Sequence, residues 1–345
     1  MIIIKPIAKF NYEELNNFME NKISNLDHKI IVSKKFKKNN LSFVLMDDKQ
    51  IKAICPLSYE KNGISNKKYK QGTFFGISLP GVIISDNLSS KEIRQILSSI
   101  LLEIDRLCKK HSIKNIKICF SDLINFDLNS LKFQTLSRLL LQFNYLNISM
   151  VGNRIDLRKD INILNKSISK GHKAILKSNN YLLKYQGSEE KLNYKSFFNL
   201  IRQVRDNQEY IKYLYEFYKN NQLEIVNVYE GKEKIAFAIF TKVNKTVEYF
   251  SSKNIYKDKN VHHSLILDAI NKYKKDGFSF LNLGVISYGS QLHYVPSKKH
   301  LNISIFKRGF KGENYPLQIY EKYFSKKIFQ EQQNIRIKNF SNLIN

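Results

Sequence analysis

Residues 223–240 read LEIVNVY-EGKE-KIAFAIF, two runs of strand-forming side chains joined by a glycine-containing turn. This run length and turn composition predict a β-hairpin. A further strand is predicted from Thr246 to Ser251, followed by an amphipathic helix from Val261 to Lys275 that ends at Asp276-Gly277. The apolar run Phe278–Gly284 is typical of a buried strand. The order of hairpin, strand, helix and strand predicts one α/β (α+β) unit.

Each half of the chain contains a helix, a hairpin, a helix and a strand in that order, although no residue-level repeat is visible. A hairpin is predicted at residues 41–57 and a long helix from Ser89 to Lys110. Two copies of one unit agree with the number of domains expected for 345 residues. We therefore predict two fused domains, residues 1–150 and 151–320, followed by a helical tail, residues 321–345.

The chain is strongly basic, because 57 Lys and Arg stand against 30 Asp and Glu and give a net charge of +27. Such a balance favours polyanionic partners, either a nucleic acid or an anionic membrane surface. Only nine of the basic residues are arginine, the side chain best suited to bidentate phosphate contacts. A lysine-coated surface accounts for most of the charge. Two basic segments remain candidates for a specific anion site. They are Lys166–Lys177, within the lysine-rich helix predicted at residues 161–179, and the Lys307-Arg308 pair.

Cysteine and histidine usage limits the classes of site. Three cysteines, Cys55, Cys108 and Cys119, exclude a disulfide framework and a four-cysteine zinc site. His262 and His263 are neighbours on a predicted helix, so their side chains point about 100° apart and cannot share a metal ion. We therefore expect no metal site. No stretch reaches the roughly 20 apolar residues of a membrane-spanning helix. We expect a cytoplasmic protein, with contact to the inner face of the membrane as a further option.

One short segment combines basic and aromatic residues. Phe306-Lys307-Arg308-Gly309-Phe310 follows the alternating run 301–305 and is predicted as a turn at a strand end, where buried rings hold the basic charges. Such a turn suits a pocket for a phosphate, a carboxylate or a developing oxyanion. The alternative is an ordinary basic hairpin at the surface. No glycine-rich dinucleotide or phosphate loop and no Gly-x-Ser-x-Gly nucleophile elbow occurs in the sequence.

The second half of the chain resembles the FemAB family, which includes peptidoglycan-bridge aminoacyltransferases built from two fused GNAT-like acyltransferase domains. The passages that carry the resemblance are residues 154–157 with the basic segment 168–177, the pair Arg205-Asp206, residues 263–284 and the Phe306–Phe310 segment. The resemblance covers about residues 150–315, and the first half is similar only in the order of its elements. Asn282 stands where the family often has an acidic residue. The pyrophosphate loop of single-domain GNAT proteins is missing between Ser251 and Val261.

The resemblance implies a fold and a reaction. The fold has two GNAT-like domains, each a mixed, mostly antiparallel sheet flanked by helices, of which the first is degenerate. The reaction is acyl transfer from an acyl-CoA or an aminoacyl-tRNA, used as co-substrate with no tightly bound cofactor. The acceptor is an amine of a cell-envelope glycan or of a nucleotide-sugar or lipid-linked precursor. Lys307 would stabilise the oxyanion or leaving group, and Arg205 would bind the anionic acceptor.

The resemblance also implies where the donor and the remaining substrate contacts lie. The basic helix with Lys173 would receive a tRNA backbone, but the coiled-coil insertion common among the family's tRNA users is absent, which favours a small acyl donor. His293 is the candidate base because histidine titrates near neutrality, with a solvated loop histidine as the alternative. The other predicted substrate-binding residues are Ser251, Ser252, Asn282, Gly284, Tyr288, Tyr294, Arg308 and Phe310.

The sequence also agrees with a second function, from a different class. The chain would then be a non-catalytic tandem-GNAT module that holds RNA or an anionic glycan through its basic surface. This alternative predicts steeply salt-dependent binding and no consumption of an acyl donor.

Overall fold

The computed structural model describes residues 2–20, 22, 25–33, 35–37, 39–64, 67–120, 131–178, 181–186, 192–256 and 260–343. Within this part of the chain, no helix is both long enough and apolar enough to cross a membrane. The elements of the first half are β1 (Ile3–Pro6), α1 (Tyr12–Met19), α2 (Leu26–Val32), β2 (Phe43–Asp47), β3 (Gln50–Cys55), β4 (Glu60–Ile64), β5 (Lys67–Gly72), β6 (Leu79–Pro80), β7 (Ile83–Ile84), α3 (Ser90–Lys110), β8 (Ile113–Cys119), α4 (Leu131–Gln142) and β9 (Leu146–Asn147).

The second half begins with a strand that spans the predicted domain boundary. Its elements are β10 (Met150–Asp156), α5 (Ile161–Ser167), α6 (Lys170–Ser178), β11 (Leu182–Gln186), α7 (Tyr194–Ile201), α8 (Gln208–Lys219), β12 (Leu223–Glu230), β13 (Glu233–Val243), β14 (Thr246–Asn254), α9 (Val261–Lys275), β15 (Phe280–Ile286), α10 (Lys298–Arg308), β16 (Glu313–Leu317), β17 (Ile319–Tyr323) and α11 (Lys326–Ser341).

A seven-stranded sheet in the order β11-β12-β13-β14-β15-β10-β16 dominates the second half. All of its neighbouring strands are antiparallel except β14 and β15, which are parallel. The predicted hairpin is confirmed as β12 and β13, and helix α9 with strand β15 follows as expected. The second half therefore has the predicted fold class, in which helices flank a mixed, mostly antiparallel sheet.

The parallel strands β14 and β15 diverge soon after they meet. Only residues 246–248 of β14 pair with residues 280–282 of β15, although β14 continues to Asn254 and β15 to Ile286. A register shift in β14 skips Phe250, which bends the strand at the same level. The two strands thus leave an opening in the sheet beyond Glu248 and Asn282, where they no longer pair with each other.

The first half contains two smaller sheets, one of which includes a strand from the end of the chain. One sheet has the order β1-β2-β3-β7, and the other has the order β4-β5-β8-β17-β9, with β6 beside β8. Residues 319–323 of β17 pair antiparallel with β8. The chain therefore returns to the first half before helix α11 begins at Lys326. Residues 321–323, predicted to start a helical tail, form a strand, and residues 344–345 of that tail lie outside the described residues.

The apolar core is continuous between the halves. One cluster of buried side chains contains Ile30 and Ile54 of the first half together with Leu214 and Phe237 of the second. A second cluster fills the space between the large sheet and helices α5 and α9. Burial of this much shared apolar surface favours a fixed arrangement of the halves, consistent with the absence of a Pro/Gly/Ser linker between them.

Two further predictions about local structure were wrong. Residues 301–305 alternate like a strand, but they lie in helix α10, which Ser297 caps by accepting a hydrogen bond from the His300 backbone N–H. The helix is held by its packing beside β15 rather than by an apolar stripe, because Ile303 and Ile305 are exposed. The lysine-rich helix predicted at residues 161–179 is broken into α5 and α6, since Ile168 is buried and leaves the helical conformation, with φ −54° and ψ 136°. Asn179 lies outside the described residues.

Candidate functional site

Lys307 lies on the last turn of α10 and extends to the opening between β14 and β15. Its Nζ donates a hydrogen bond to the carbonyl oxygen of Val285 at 3.0 Å. Burial lowers the pKa of the ammonium to about 8, and the negative charge of Glu248 acts in the opposite direction. Glu248 is the last residue of β14 that pairs with β15. Among the described residues, the Lys307 ammonium and the Glu248 carboxylate therefore act on each other at this opening.

A bulge in β15 shapes the backbone beside this ammonium. Gly284 has a positive φ of 77°, and a Cβ at that position would lie 3.5 Å from the Lys307 Nζ. Asn282 stabilises the bulge, because its Oδ1 accepts hydrogen bonds from the Gly284 N–H at 2.8 Å and from the Tyr315 hydroxyl at 2.7 Å. The predicted substrate-binding residues Asn282 and Gly284 therefore lie at the site, with the Asn282 carbonyl engaged inside the protein.

The aromatic residues around Lys307 fix its helix in place. Phe310 is 2% exposed and packs edge-on against Phe306, with 5.4 Å between the ring centroids. Both rings surround His172 of α6 and His263 of α9. Phe310, predicted to bind substrate, lies in the core and supports the helix that carries Lys307.

The carboxyl-terminal part of β14 contains two predicted serines. Ser251 and Ser252 pair with β13 beyond the point where β14 leaves β15. The Tyr249 hydroxyl donates a hydrogen bond to the Ser252 Oγ at 2.5 Å and lies 3.4 Å from the Nδ1 of His262. Burial, with a smaller contribution from the neighbouring His263, lowers the pKa of His262 to about 4. The cluster is therefore neutral at pH 7.

Arg205 lines a cavity of about 450 Å³ between the two halves. Its guanidinium lies over the ring of Phe250, 4.7 Å from the centroid. Within the described part of the chain, the buried Nε has no hydrogen-bond partner. Phe75 of the first half and Glu248 also line this cavity. Glu248 therefore lines the same cavity as Arg205 and its charge also acts on the Lys307 ammonium.

Tyr288 and Tyr294, on the loop after β15, form a separate group with Arg308 at the end of α10. Tyr288 and Tyr294 line a smaller cavity of about 250 Å³. The Arg308 guanidinium lies 4.7 Å from the centroid of the Tyr288 ring, and the Tyr294 hydroxyl lies 2.9 Å from the Nδ1 of His300. These residues form a polar surface on α10, which also carries Lys307, and on the loop before this helix.

The candidate base His293 lies in a different environment. Burial lowers the pKa of its imidazole, and Arg336 of α11 and Lys117 of β8 lower it further, whereas Glu321 of β17 raises it. These charges belong to the first-half sheet and the terminal helix. The structure does not bring His293 together with Lys307 and Glu248. Its role as a base stays a prediction.

Lys173 lies on α6, one residue after the buried His172. Its Nζ donates a hydrogen bond to the carbonyl oxygen of Lys166 at 2.8 Å. Helix α6 itself packs beside the end of α10 through His172, which contacts Phe306 and Phe310.

Two residues of the site were missed in the sequence. Glu248 stands inside the apolar strand Thr246-Val247-Glu248-Tyr249-Phe250, and a lone carboxylate in such a run is a signal that could have identified it. His172 carries no such signal, because the contacts of its ring are all distant in sequence. Among the described residues, no group of three or more His, Cys, Asp or Glu side chains could hold a metal ion.

The fold is shared with solved structures of low sequence identity. FemX aligns with 94% of this chain and 98% of its own, with a TM-score of 0.63 and 10% identity. A tandem GNAT protein from the clavulanic acid biosynthesis pathway, solved without AcCoA, aligns with 94% of this chain and 98% of its own, with a TM-score of 0.55 and 8% identity. L-PGS from Bacillus licheniformis aligns with 96% of this chain and 97% of its own, with a TM-score of 0.53 and 14% identity.

No protein-family model matches the chain, and no curated protein matches it either. The structural likeness extends over nearly the whole chain in each case and includes the half that resembled the family only by element order. The chain therefore has the FemAB-like fold of two fused GNAT domains.

Proposed function

We propose that this protein is an acyltransferase that moves an acyl or aminoacyl group from an activated donor to an amine. The observation that carries the proposal is the Lys307 ammonium at the opening between β14 and β15, with its pKa lowered to about 8. An opening in a sheet exposes backbone groups that can bind an extended ligand, and a shielded cation there stabilises developing negative charge more strongly than one in water. The fold shared with FemX, L-PGS and a tandem GNAT protein supports the same reaction class.

In the proposed reaction, the acceptor nitrogen forms a bond to the donor carbonyl carbon. The carbonyl oxygen becomes an oxyanion, and the carbon–sulfur bond of a thioester or the carbon–oxygen bond of an ester then breaks. The amine loses one proton, and the leaving group gains one. Lys307 stabilises the oxyanion or protonates the leaving group, and with a pKa about 8 it can give up a proton near neutral pH. Positioning of the two substrates supplies much of the rate enhancement.

The proposed acceptor is an amine of a cell-envelope glycan or of a nucleotide-sugar or lipid-linked precursor. The support for an anionic group on that acceptor is the Arg205 guanidinium, which lies over Phe250 and whose Nε has no partner among the described residues, although Asp27, Asp206 and Glu248 also line the cavity. Arginine is well suited to bind phosphate through two parallel hydrogen bonds. Glu248 in the same cavity is placed to orient the acceptor amine near Lys307.

The donor is an acyl-CoA or an aminoacyl-tRNA. The basic face of α6, with Lys170, Lys173 and Lys177, supports a polyanionic donor that approaches the helix of Lys307. Both donors carry phosphates and an activated carbonyl, so this basic face suits either. We favour a small acyl donor. Contact with an anionic membrane surface is a further part of the proposal, since lysines cover the molecule.

The test is incubation of the purified protein with acetyl-CoA or charged tRNA and a panel of amino sugars and their nucleotide derivatives, followed by mass spectrometry of the products. Lys307→Ala should lower turnover by about 100-fold or more while the circular dichroism spectrum is unchanged. The matched control is Lys299→Ala, which removes an exposed lysine from the start of the same helix. Unchanged turnover in Lys307→Ala would remove Lys307 from the mechanism. Salt-dependent RNA binding without donor consumption would identify the non-catalytic module instead.

A further inference from the structure

A cavity of about 820 Å³ lies in the first half of the molecule, between the amino-terminal segment, the connection from α2 to β2 and the carboxyl-terminal end of α3. The described residues that line it all precede residue 112, so it is separate from the Arg205 cavity and from Lys307. Its volume lies within the range of about 300–1,000 Å³ that is typical of small-molecule sites. Nothing in the proposed acyl transfer uses it.

The inner walls of this cavity are apolar. Leu15, Val32 and Phe43 line it and are each at most 3% exposed. Phe36 and Ile7 extend the same surface and are each 7% exposed. Binding of a hydrocarbon group in an apolar cavity of this size lowers the free energy, because apolar surface of both the walls and the ligand is removed from water.

The mouth of the cavity is basic. Arg106 and Glu103 line it, but the guanidinium donates two hydrogen bonds of 2.6 Å to that carboxylate, so the pair carries no net charge. The ammonium groups of Lys37 and Lys110 remain, both on exposed residues. His111 also lines the cavity. Burial lowers the pKa of its imidazole, and the neighbouring cations, of which Lys110 has the largest effect, lower it further.

We propose that this cavity binds one free fatty acid anion, with the hydrocarbon chain against Leu15, Val32 and Phe43 and the carboxylate between Lys37 and Lys110. The apolar interior selects the chain, and the uncompensated charge at the mouth selects a negative head group. Because the space is a pocket rather than a flat surface, it suits a single hydrocarbon chain that has left a bilayer. This site is independent of the proposed acyl transfer.

The experiment uses the full chain and displacement of the fluorescent fatty acid cis-parinaric acid by saturated carboxylates of eight to twelve carbons. We expect one binding site and an affinity that rises by about fourfold for each added CH₂. Dodecanoate should bind at least about tenfold more tightly than dodecanol, because only the carboxylate is attracted by the two ammonium groups. Lys307→Ala should bind dodecanoate like the wild type, which separates this site from the proposed active site.

Two variants locate the ligand. Leu107→Trp places a larger side chain on the lining of the cavity and should abolish displacement at concentrations that saturate the wild type. Lys37→Glu combined with Lys110→Glu should weaken dodecanoate by about tenfold or more and leave dodecanol within twofold. The matched control is Lys91→Glu combined with Lys109→Glu, which changes the net charge equally at exposed positions of α3 outside the lining.

Several results would each overturn the proposal. They are no binding of dodecanoate, equal loss of affinity in the control pair, and full binding by Leu107→Trp whose circular dichroism spectrum matches the wild type. Binding to phosphatidylglycerol vesicles without binding to monomeric dodecanoate would also contradict it, since the basic mouth would then serve a membrane surface.

Discussion

The imidazole of His172 donates a hydrogen bond through its Nε2 to the carbonyl oxygen of Phe306, at 2.8 Å. This contact joins α6 to the last turn of α10, one residue before Lys307. The Ser169 N–H strengthens the connection by donating to the carbonyl oxygen of Gly309 at 2.9 Å. The position of the Lys307 ammonium therefore depends on a contact between segments more than 130 residues apart in sequence.

Gly309→Ala should displace this part of α10. A Cβ at Gly309 would lie 2.1 Å from the His172 ring, so either the ring or the helix end must move. We expect a loss of about 1–3 kcal/mol in the free energy of unfolding and reduced transfer activity although Lys307 is present. Urea unfolding and turnover measure the two effects.

The control for Gly309→Ala is Gly171→Ala on α6, where a Cβ meets no atom within 4 Å. This substitution should stabilise the helix by up to about 1 kcal/mol, because alanine has the higher helix propensity. Full stability and full turnover in Gly309→Ala would show that the His172 contact does not position Lys307.

Acid should destabilise the protein through His262 and His263. Burial lowers the pKa of each imidazole to about 4, with His263 also acting on His262 and His172 acting on His263. Below pH 6.5 the unfolded chain binds protons that the folded chain does not, so stability is complete above pH 6.5 and falls as the pH drops towards 4. We expect the pair to account for roughly 2–4 kcal/mol after allowance for the partial exposure of both rings.

Urea unfolding between pH 7 and pH 4 measures this effect. The double variant His262→Gln with His263→Gln should show a shallower loss of stability over that range than the wild type. The control, His300→Gln, replaces an exposed histidine of α10 and should keep the slope of the wild type. A slope that stays the same in the double variant would assign the acid sensitivity to other groups.

Much of the fold could be predicted because its signals are local. The helix α3 was predicted from Ser89, and the structure contains the capping box in which Ser89 and Glu92 satisfy each other's backbone N–H groups. The hairpins β2–β3 and β12–β13 follow from runs of strand-forming residues around short polar turns. By contrast, α10 was missed because residues 301–305 alternate like a strand, and the helix is held by contacts that no short window contains.

The candidate site shows the same division between local and distant information. Lys307 and Arg205 were identified through motifs within short segments. Their relation to Glu248 could not be predicted, because it depends on where β14 and β15 diverge and on how the first half closes the Arg205 cavity. The pairing of β17 with β8 is likewise a long-range event that secondary-structure patterns do not encode.

Transfer activity should fall at alkaline pH when the Lys307 ammonium loses its proton. Burial lowers its pKa to about 8 from 10.5, so the charge is present at pH 7 and is lost as the pH rises through about 8. Glu248→Gln removes the charge that opposes this shift and should move the alkaline limb to lower pH. Lys307→Arg keeps its charge throughout this range and should remove the limb while retaining part of the activity. An alkaline limb unchanged in Lys307→Arg would assign it to another group.

Arg205→Gln should raise the KM for a phosphorylated acceptor by about tenfold or more and leave kcat within about threefold. The reason is that Arg205 faces the cavity between the halves, whereas the Lys307 ammonium lies at the opening of the sheet. Arg205→Lys should fall between wild type and Arg205→Gln, because lysine keeps the charge but loses the planar pair of donors. The KM for the donor should not change.

The matched control for Arg205 is Arg202→Gln, an exposed arginine at the end of α7 that does not line the cavity. An acceptor that lacks the phosphate should be used equally by wild type and Arg205→Gln, since the guanidinium then has no anion to bind. If Arg205→Gln instead lowers kcat with both acceptors and leaves KM unchanged, Arg205 acts on the reacting groups and the cavity is not the acceptor's anion site. The comparison of the two acceptors therefore separates recognition of the substrate from the chemical step.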